Sequence, residues 1–163
     1  MRSVLDDAIA LEERARTAYR EAREKVADPG AKRILELLAA EEEKHVAALA
    51  AAREGRSASL RDSSLLTEVK GLMEGAVVEG QTAVSTDASL RDVLRQAMET
   101  EQATERFYKA RANRAKEEDL RGLFQELARQ EVGHYLLVSS LLEYFDRPKE
   151  WVESAEFGLR PEY

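Results

Sequence analysis

The sequence contains no cysteine among its 163 residues. Without thiols, these residues can form neither disulfide bonds nor the thiolate ligands of structural zinc sites, iron–sulfur clusters and rubredoxin-type iron knuckles. Any metal ion that they bind must therefore be held by oxygen and nitrogen atoms.

Residues that break helices are also scarce. The chain has only three prolines and eight glycines, whereas alanine, leucine, glutamate and arginine, which favour helices, are abundant. Charged residues make up 35% of the chain and hydrophobic residues 44%, a balance typical of a globular domain rather than a disordered chain. We therefore predict one all-α domain that is long enough to bury a core.

Neither an excess of basic residues nor a long apolar run is present. Acidic residues outnumber basic ones by 32 to 25, which gives a formal net charge of −7, whereas a nucleic-acid binder needs a basic face to meet phosphates. No segment approaches the roughly 18 apolar residues of a membrane span, and the N-terminus does not read as a signal peptide. The sequence predicts a cytoplasmic protein with neither nucleic acid nor membrane as a partner.

Hydrophobic periodicity predicts four amphipathic helices. Their approximate bounds are Ser3 to Ala27, Ala31 to Glu54, Ser89 to Lys116 and Asp119 to Phe145. A short turn at Pro29 and Gly30 joins the first pair, and a short acidic link joins the second pair. Each pair is therefore predicted to form an antiparallel hairpin.

A longer segment, residues 55–88, connects the two hairpins. Because one long crossover between hairpins is the ferritin-like connectivity, we predict a ferritin-like four-helix bundle over residues 1–146. The stretch LLTEVKGLMEGAVVEG within the crossover is expected to be partly helical. Residues 147–163 form an aromatic tail that is expected to pack on the bundle or on a partner subunit.

Each predicted helix carries an a/d-type apolar stripe that becomes polar in its middle. The acidic residues and histidines on the stripes are Glu12, Glu42, His45, Glu101, Glu131 and His134. Burying a carboxylate costs several kcal/mol, and four glutamates at one depth would also repel one another. No lysine or arginine on the stripes compensates, but two divalent cations would, with neutral imidazoles as additional ligands.

The chain also repeats itself at a spacing of 89 residues. This shift superposes Glu12 on Glu101, Tyr19 on Tyr108, Glu42 on Glu131 and His45 on His134. The two histidines are the only ones in the protein, and both belong to a Glu-x-x-His pair whose members share a helix face. Two related hairpins facing each other would give a nearly symmetric two-metal site.

Less specific interpretations exist for parts of this pattern. A single Glu-x-x-His pair is common on solvated helices, and one glutamate in a core can serve only to set helix register. In the run EEEKH, spacing favours Glu42 as the inward residue and predicts that Glu41 and Glu43 are solvated. Tyr19 and Tyr108 fit either core aromatics or hydroxyl donors to the ligand carboxylates.

These residues resemble the rubrerythrin-like branch of the ferritin-like di-iron carboxylate superfamily. LEERARTAY and METEQATERFY look like its helices in which tyrosine follows glutamate, and LAAEEEKHVAAL and LARQEVGHYLL look like its Glu-x-x-His helices. The resemblance covers roughly residues 3–146 and implies two iron ions and reduction of hydrogen peroxide. It also implies a ligand set, which is Glu12, Glu42, His45, Glu101, Glu131 and His134.

The sequence departs from the rubrerythrin pattern in two ways. No cysteine-ligated rubredoxin unit can be built from these residues, so electrons would come from an external donor protein. The third helix usually offers a second glutamate three residues after the first, but here Thr104 stands there and Glu105 is the nearest substitute. Thr104 and Glu105, like Tyr19 and Tyr108, are expected to lie beside the ligands.

The resulting hypothesis is a di-iron oxidoreductase that acts on hydrogen peroxide or oxygen, most simply as a homodimer. A ferroxidase or iron-storage protein is one alternative, and a structural, non-catalytic metal site is another. Manganese, a mixed manganese–iron pair and zinc remain alternatives to iron, because oxygen and nitrogen ligands suit several metals.

Overall fold

A computed structural model describes residues 3–58, 60, 63–78 and 88–146. Within these residues the chain forms α-helices and no strands, which confirms the predicted all-α fold. The helices are α1 (Val4–Lys25), α2 (Pro29–Arg53), α3 (Leu65–Val78), α4 (Ala88–Ala112) and α5 (Glu118–Asp146). The tail predicted to pack on the bundle, residues 147–163, lies outside the described residues.

Helix packing follows the predicted pairing. α1 packs along α2, and α4 packs along α5, so each pair forms a hairpin. α3 lies in the crossover, where a partly helical segment was predicted, and packs on α2. Contacts between the hairpins are fewer and run mainly between α1 and α4.

Local capping fixes where the first two helices begin. The Ser3 hydroxyl accepts the Asp6 amide at 3.1 Å, and the Asp6 carboxylate accepts the Ser3 amide in return, so α1 begins with a capping box. Before α2, the Asp28 carboxylate accepts the Ala31 amide at 2.7 Å. Pro29 and Gly30 therefore form the first turn of α2 rather than the predicted separate turn, because proline suits the first helical position.

The buried side chains form two apolar clusters that lie on either side of the bundle's middle. One contains Leu35, Leu38 and Val138, together with Leu65 and Val69 of α3. The other is lined by Ala8, Leu49, Tyr108, Phe124 and Leu127. The polar layer between these two clusters is thus shielded from solvent at both ends of the bundle.

Leu127 and Leu136 provide a matched test of this core, because both lie on α5 but are 0% and 54% exposed. Leu127→Ala is expected to lower the free energy of unfolding by about 2–5 kcal/mol, since it deletes buried methyl groups and leaves a cavity. Leu136→Ala is expected to change that free energy by less than about 0.5 kcal/mol. Urea denaturation followed by circular dichroism measures both, and equal losses would contradict the assigned core.

None of the described helices is both long enough and apolar enough to cross a membrane.

Candidate metal centre

The structure brings the six predicted ligand residues together in the polar layer. Each is at most 1% exposed: Glu12, Glu42, His45, Glu101, Glu131 and His134. α1 and α4 supply one glutamate each, while α2 and α5 supply one Glu-x-x-His pair each. Residues three apart on a helix share a face, so both members of each pair reach the bundle axis.

Both imidazoles point Nδ1 at carboxylates from three helices. His45 Nδ1 lies 3.0 Å from Glu42, 3.1 Å from Glu131 and 3.7 Å from Glu12. His134 Nδ1 lies 3.2 Å from Glu42, 3.6 Å from Glu131 and 3.7 Å from Glu101. The two rings stack with their centroids 5.4 Å apart, so the two halves of the site face each other directly.

The ligand atoms divide into two overlapping groups, each able to hold a metal ion. The first group is Glu12, Glu42, His45 and Glu131, and the second is Glu42, Glu101, Glu131 and His134. Within each group the atoms lie within 4.8 Å of one another. Glu42 and Glu131 belong to both groups, which is the arrangement needed for two carboxylates to bridge a pair of ions.

Several of these atoms lack hydrogen bonds within the described part of the chain. They are Glu12 Oε2, Glu42 Oε1 and Oε2, Glu131 Oε1, His45 Nδ1, and His134 Nδ1 and Nε2. Leaving a buried polar atom unsatisfied costs about 1–3 kcal/mol, and such atoms are rare in folded proteins. All of these except His134 Nε2 converge on the centre of the layer, so cations placed there would satisfy them together.

Two tyrosines fix the outer oxygens of the glutamates on α1 and α4. The Tyr19 hydroxyl donates to Glu101 Oε1, and the Tyr108 hydroxyl donates to Glu12 Oε1. Burial, followed by the adjacent glutamate, raises the pKa of both phenols well above its usual value, so both stay protonated. Each tyrosine therefore holds its glutamate with the other oxygen directed at the site, and each also belongs to one of the two apolar clusters.

The carboxylates of the layer have strongly shifted pKa values. Burial, reinforced by the charge of Glu42, raises the pKa of Glu12 to about 7 and that of Glu131 well above its usual range. Burial would also raise the pKa of Glu42, but the two imidazoles, with His134 the stronger influence, hold it below its usual value. Without cations, the layer therefore relies on protons to offset its negative charge.

A family model for rubrerythrin matches residues 3–142, which include α1 to α4 and most of α5. The chain belongs to the rubrerythrin family. Comparison with curated proteins and with solved structures found no match to the chain. The rubrerythrin match confirms the family predicted from the sequence, and the buried carboxylate and histidine cluster of this rubrerythrin domain lies on the helices that the match covers.

At the two positions where the chain departs from the expected pattern, the side chains contact neighbours on their own helix, α4. Thr104 is buried, and its hydroxyl donates to the Thr100 carbonyl at 3.0 Å. Glu105 is 20% exposed and pairs with Lys109 at 2.5 Å. Neither belongs to the two groups of ligand atoms found among the described residues.

Sequence reasoning missed two buried residues near the polar layer, Gln130 and Glu41, of which Gln130 contacts a histidine. Gln130 is 5% exposed, and its Oε1 lies 3.0 Å from His45 Nε2. Glu41 is also 5% exposed, so the expectation that it is solvated was wrong. Glu43 behaves as predicted, since it is exposed and pairs with Arg16 and Arg20. The signal that could have found both missed residues is the internal repeat, which superposes Glu41 on Gln130.

Proposed function

We propose that this rubrerythrin is a di-iron oxidoreductase that reduces hydrogen peroxide, or oxygen, with electrons from an external donor. The observation that carries the proposal is the pair of overlapping ligand groups, which share Glu42 and Glu131 at the centre of a buried layer. Membership of the rubrerythrin family supports the same assignment.

The residues fit a pair of divalent ions in number, charge and chemistry. Four carboxylates supply a charge that two divalent cations balance, and neutral imidazoles complete the set without adding charge. Oxygen and imidazole nitrogen are ligands that suit iron, as well as manganese and zinc. Glu12, Glu42, His45 and Glu131 would hold one ion, and Glu42, Glu101, Glu131 and His134 would hold the other.

A bound iron pair would supply two electrons, which with two protons convert one hydrogen peroxide molecule into two water molecules. The chain itself positions the ligand residues and shields them from bulk water. Tyr19 and Tyr108 orient Glu101 and Glu12, and the two apolar clusters keep bulk water from the layer. In such a water-excluded setting, charge interactions are stronger than in water.

The proposal requires partners outside the described residues. Because the chain has no cysteine, a rubredoxin-type centre cannot form from it, and the electrons that restore the reduced iron pair come from a separate donor protein. A second copy of the chain is the other partner in this proposal, which takes the protein as a homodimer.

The test is stopped-flow oxidation of protein loaded with ferrous iron in the absence of oxygen. We expect each hydrogen peroxide molecule to oxidise two irons, because peroxide reduction consumes two electrons. Zinc-loaded protein is the matched control, as it keeps the fold but cannot supply electrons.

Two results would overturn the proposal in favour of the alternatives. Iron-loaded protein that reacts with neither peroxide nor oxygen would leave a structural metal site. Oxidised iron that accumulates as mineral inside a shell-sized assembly, detected by light scattering, would indicate storage. Metal analysis of protein purified without added metal then identifies the native ion.

A further inference from the structure

Gln130 is a buried amide of α5 that contacts one of the two histidines. Its side-chain oxygen Oε1 lies 3.0 Å from His45 Nε2, and the residue is 5% exposed. Because an amide oxygen can only accept a hydrogen bond, the proton between these two atoms belongs to the imidazole. His45 therefore carries a proton on Nε2.

Glu126 and Arg129 decide which end of this amide faces His45. Gln130 Nε2 donates to Glu126 Oε1 at 2.7 Å, and Arg129 Nε donates to Glu126 Oε2 at 2.9 Å. The hydrogen bond from Arg129 holds the pKa of Glu126 below its usual value, against the effect of burial. An ionised carboxylate can only accept hydrogen bonds, so the amide turns its NH2 group to Glu126 and its oxygen to His45.

Packing alone does not explain an amide at position 130. An apolar side chain such as methionine would fill a similar space, whereas a buried amide costs free energy unless it is hydrogen-bonded. Both ends of the Gln130 amide have a partner, and these partners connect the polar layer to Glu126, whose side chain is 29% exposed. The hydrogen bond to His45 is therefore a property that an apolar residue could not supply here.

The other ring nitrogen of His45 lies among the ligand carboxylates. Nδ1 is 3.0 Å from Glu42 and 3.1 Å from Glu131. A ring nitrogen binds a cation only through a free lone pair, and a neutral imidazole has one such nitrogen and one N–H. Because an acceptor beside Nε2 keeps the proton there, Nδ1 is the nitrogen left to bind a cation.

His134 lacks an equivalent partner within the described part of the chain. Its Nδ1 also lies near carboxylates, but its buried Nε2 has no hydrogen bond there. The 89-residue repeat places Glu41 at the position equivalent to Gln130, and the Glu41 carboxylate pairs with Lys44 at 2.5 Å. Among the described residues, the outer support seen at His45 is thus confined to one half of the site, so its effect can be measured against the other half.

We propose that Gln130 is a positioning residue that accepts the Nε2 proton of His45 and thereby keeps Nδ1 available as a ligand in the first of the two ligand groups. This inference rests on the proposed metal site, although not on its reaction. Glu126 contributes by fixing the orientation of the amide. The ion held by the second group, which contains His134, does not depend on Gln130.

The test is NMR of ¹⁵N-labelled imidazole rings in zinc-loaded protein, which is diamagnetic. The chain has only two histidines, and a variant that lacks His134 assigns their signals. We expect His45 to carry its proton on Nε2 and to bind zinc through Nδ1. Gln130→Met should move the His45 Nε2 proton upfield, because its acceptor is lost, and should weaken zinc binding in the first group about 10- to 100-fold. The His134 signals and the second zinc ion should be unaffected.

Two further variants separate this role from a loss of packing. Gln125→Met makes the same substitution at an exposed glutamine of α5 and should change neither the two rings nor zinc binding. Gln130→Glu retains an acceptor at the same position, so it should keep the His45 proton downfield and both zinc ions bound. A variant that merely loosened the bundle would disturb both rings together, so a change confined to His45 identifies a direct partner.

Zinc bound through Nε2 of His45 in the unaltered protein would overturn this inference, and so would an unmoved His45 signal with undiminished zinc affinity in Gln130→Met. The first of these observations needs no variant, so it decides the matter even if Gln130→Met fails to fold. Failure of the proposed function is a separate result. Protein that shows the predicted NMR changes, yet is not oxidised by peroxide when loaded with iron, would refute the reaction and leave the role of Gln130 intact.

Discussion

Replacing Glu42 with glutamine is expected to abolish metal binding at both positions of the layer. Glutamine keeps the shape of the side chain but removes its charge, and Glu42 is shared by both groups of ligand atoms. Changing only an outer partner of a ligand already weakens binding about 10- to 100-fold, so losing a shared ligand should cost more than about 100-fold. Isothermal titration with zinc or manganese, supported by metal analysis, measures the effect.

The contrast with Glu12 makes this prediction specific to a bridged pair. Glu12 belongs to one group only, so Glu12→Gln should remove one ion and leave the other bound. Glu43→Gln is the matched control for Glu42→Gln, because Glu43 is the next residue along α2 but is exposed and pairs with arginines. If Glu42→Gln kept the full metal content, or if Glu12→Gln lost both ions, the assignment of shared and single ligands would be wrong.

Removing the metal is expected to lower the melting temperature of this rubrerythrin by about 5–10 °C. A ligand at about 100 times its Kd stabilises the folded state by about 2.7 kcal/mol, and each kcal/mol shifts Tm by roughly 2–4 °C at this size. Differential scanning calorimetry of loaded and chelator-treated protein at one concentration measures the difference. A Tm that is unchanged by chelation would show that the ligands bind no metal in the folded protein.

The loss of stability on metal removal should also grow with pH, because of the shifted pKa values in the layer. The pKa of Glu12 is raised to about 7, and that of Glu131 is raised as well. Burial lowers the pKa of His45 and His134, but the carboxylates, with Glu42 first, raise both well above their usual value.

The raised pKa values make the metal-free fold less stable as pH rises. Folded metal-free protein binds more protons than the unfolded chain, so its free energy of unfolding falls as pH rises from about 4.5 through about 7. Metal-loaded protein, in which cations replace the protons, should lose less stability over that range. Equal pH dependence of the loaded and metal-free forms would contradict this interpretation.

The ligand layer could be predicted from the sequence because helical periodicity alone decides which residues face inward. Glu12 and Glu101 interrupt apolar stripes, and the two Glu-x-x-His pairs do the same on the following helices. A residue on the stripe of its own helix is buried whichever helix packs opposite. The six residues therefore needed no knowledge of how the hairpins are oriented.

Helical periodicity could not predict whether the residues beside the stripes are buried or exposed. Glu41 and Glu43 flank Glu42, and periodicity treats them alike, yet one is buried and the other pairs with arginines of α1. The difference depends on which helix lies against each side of α2, which only the packed structure decides. The contacts of Glu105 could not be predicted from periodicity either, because its carboxylate forms an ion pair with Lys109 of the same helix.

The two tyrosine hydrogen bonds have a consequence for how the halves of the chain depend on each other. Each tyrosine binds the glutamate of the opposite hairpin, so Tyr19 completes the half of the site built on α4 and Tyr108 completes the half built on α1. Each repeated unit thus contributes a tyrosine that binds a glutamate of the other unit, as two subunits of a symmetric dimer would. Neither unit alone supplies every residue of either ligand group, so the candidate site exists only at the interface between them.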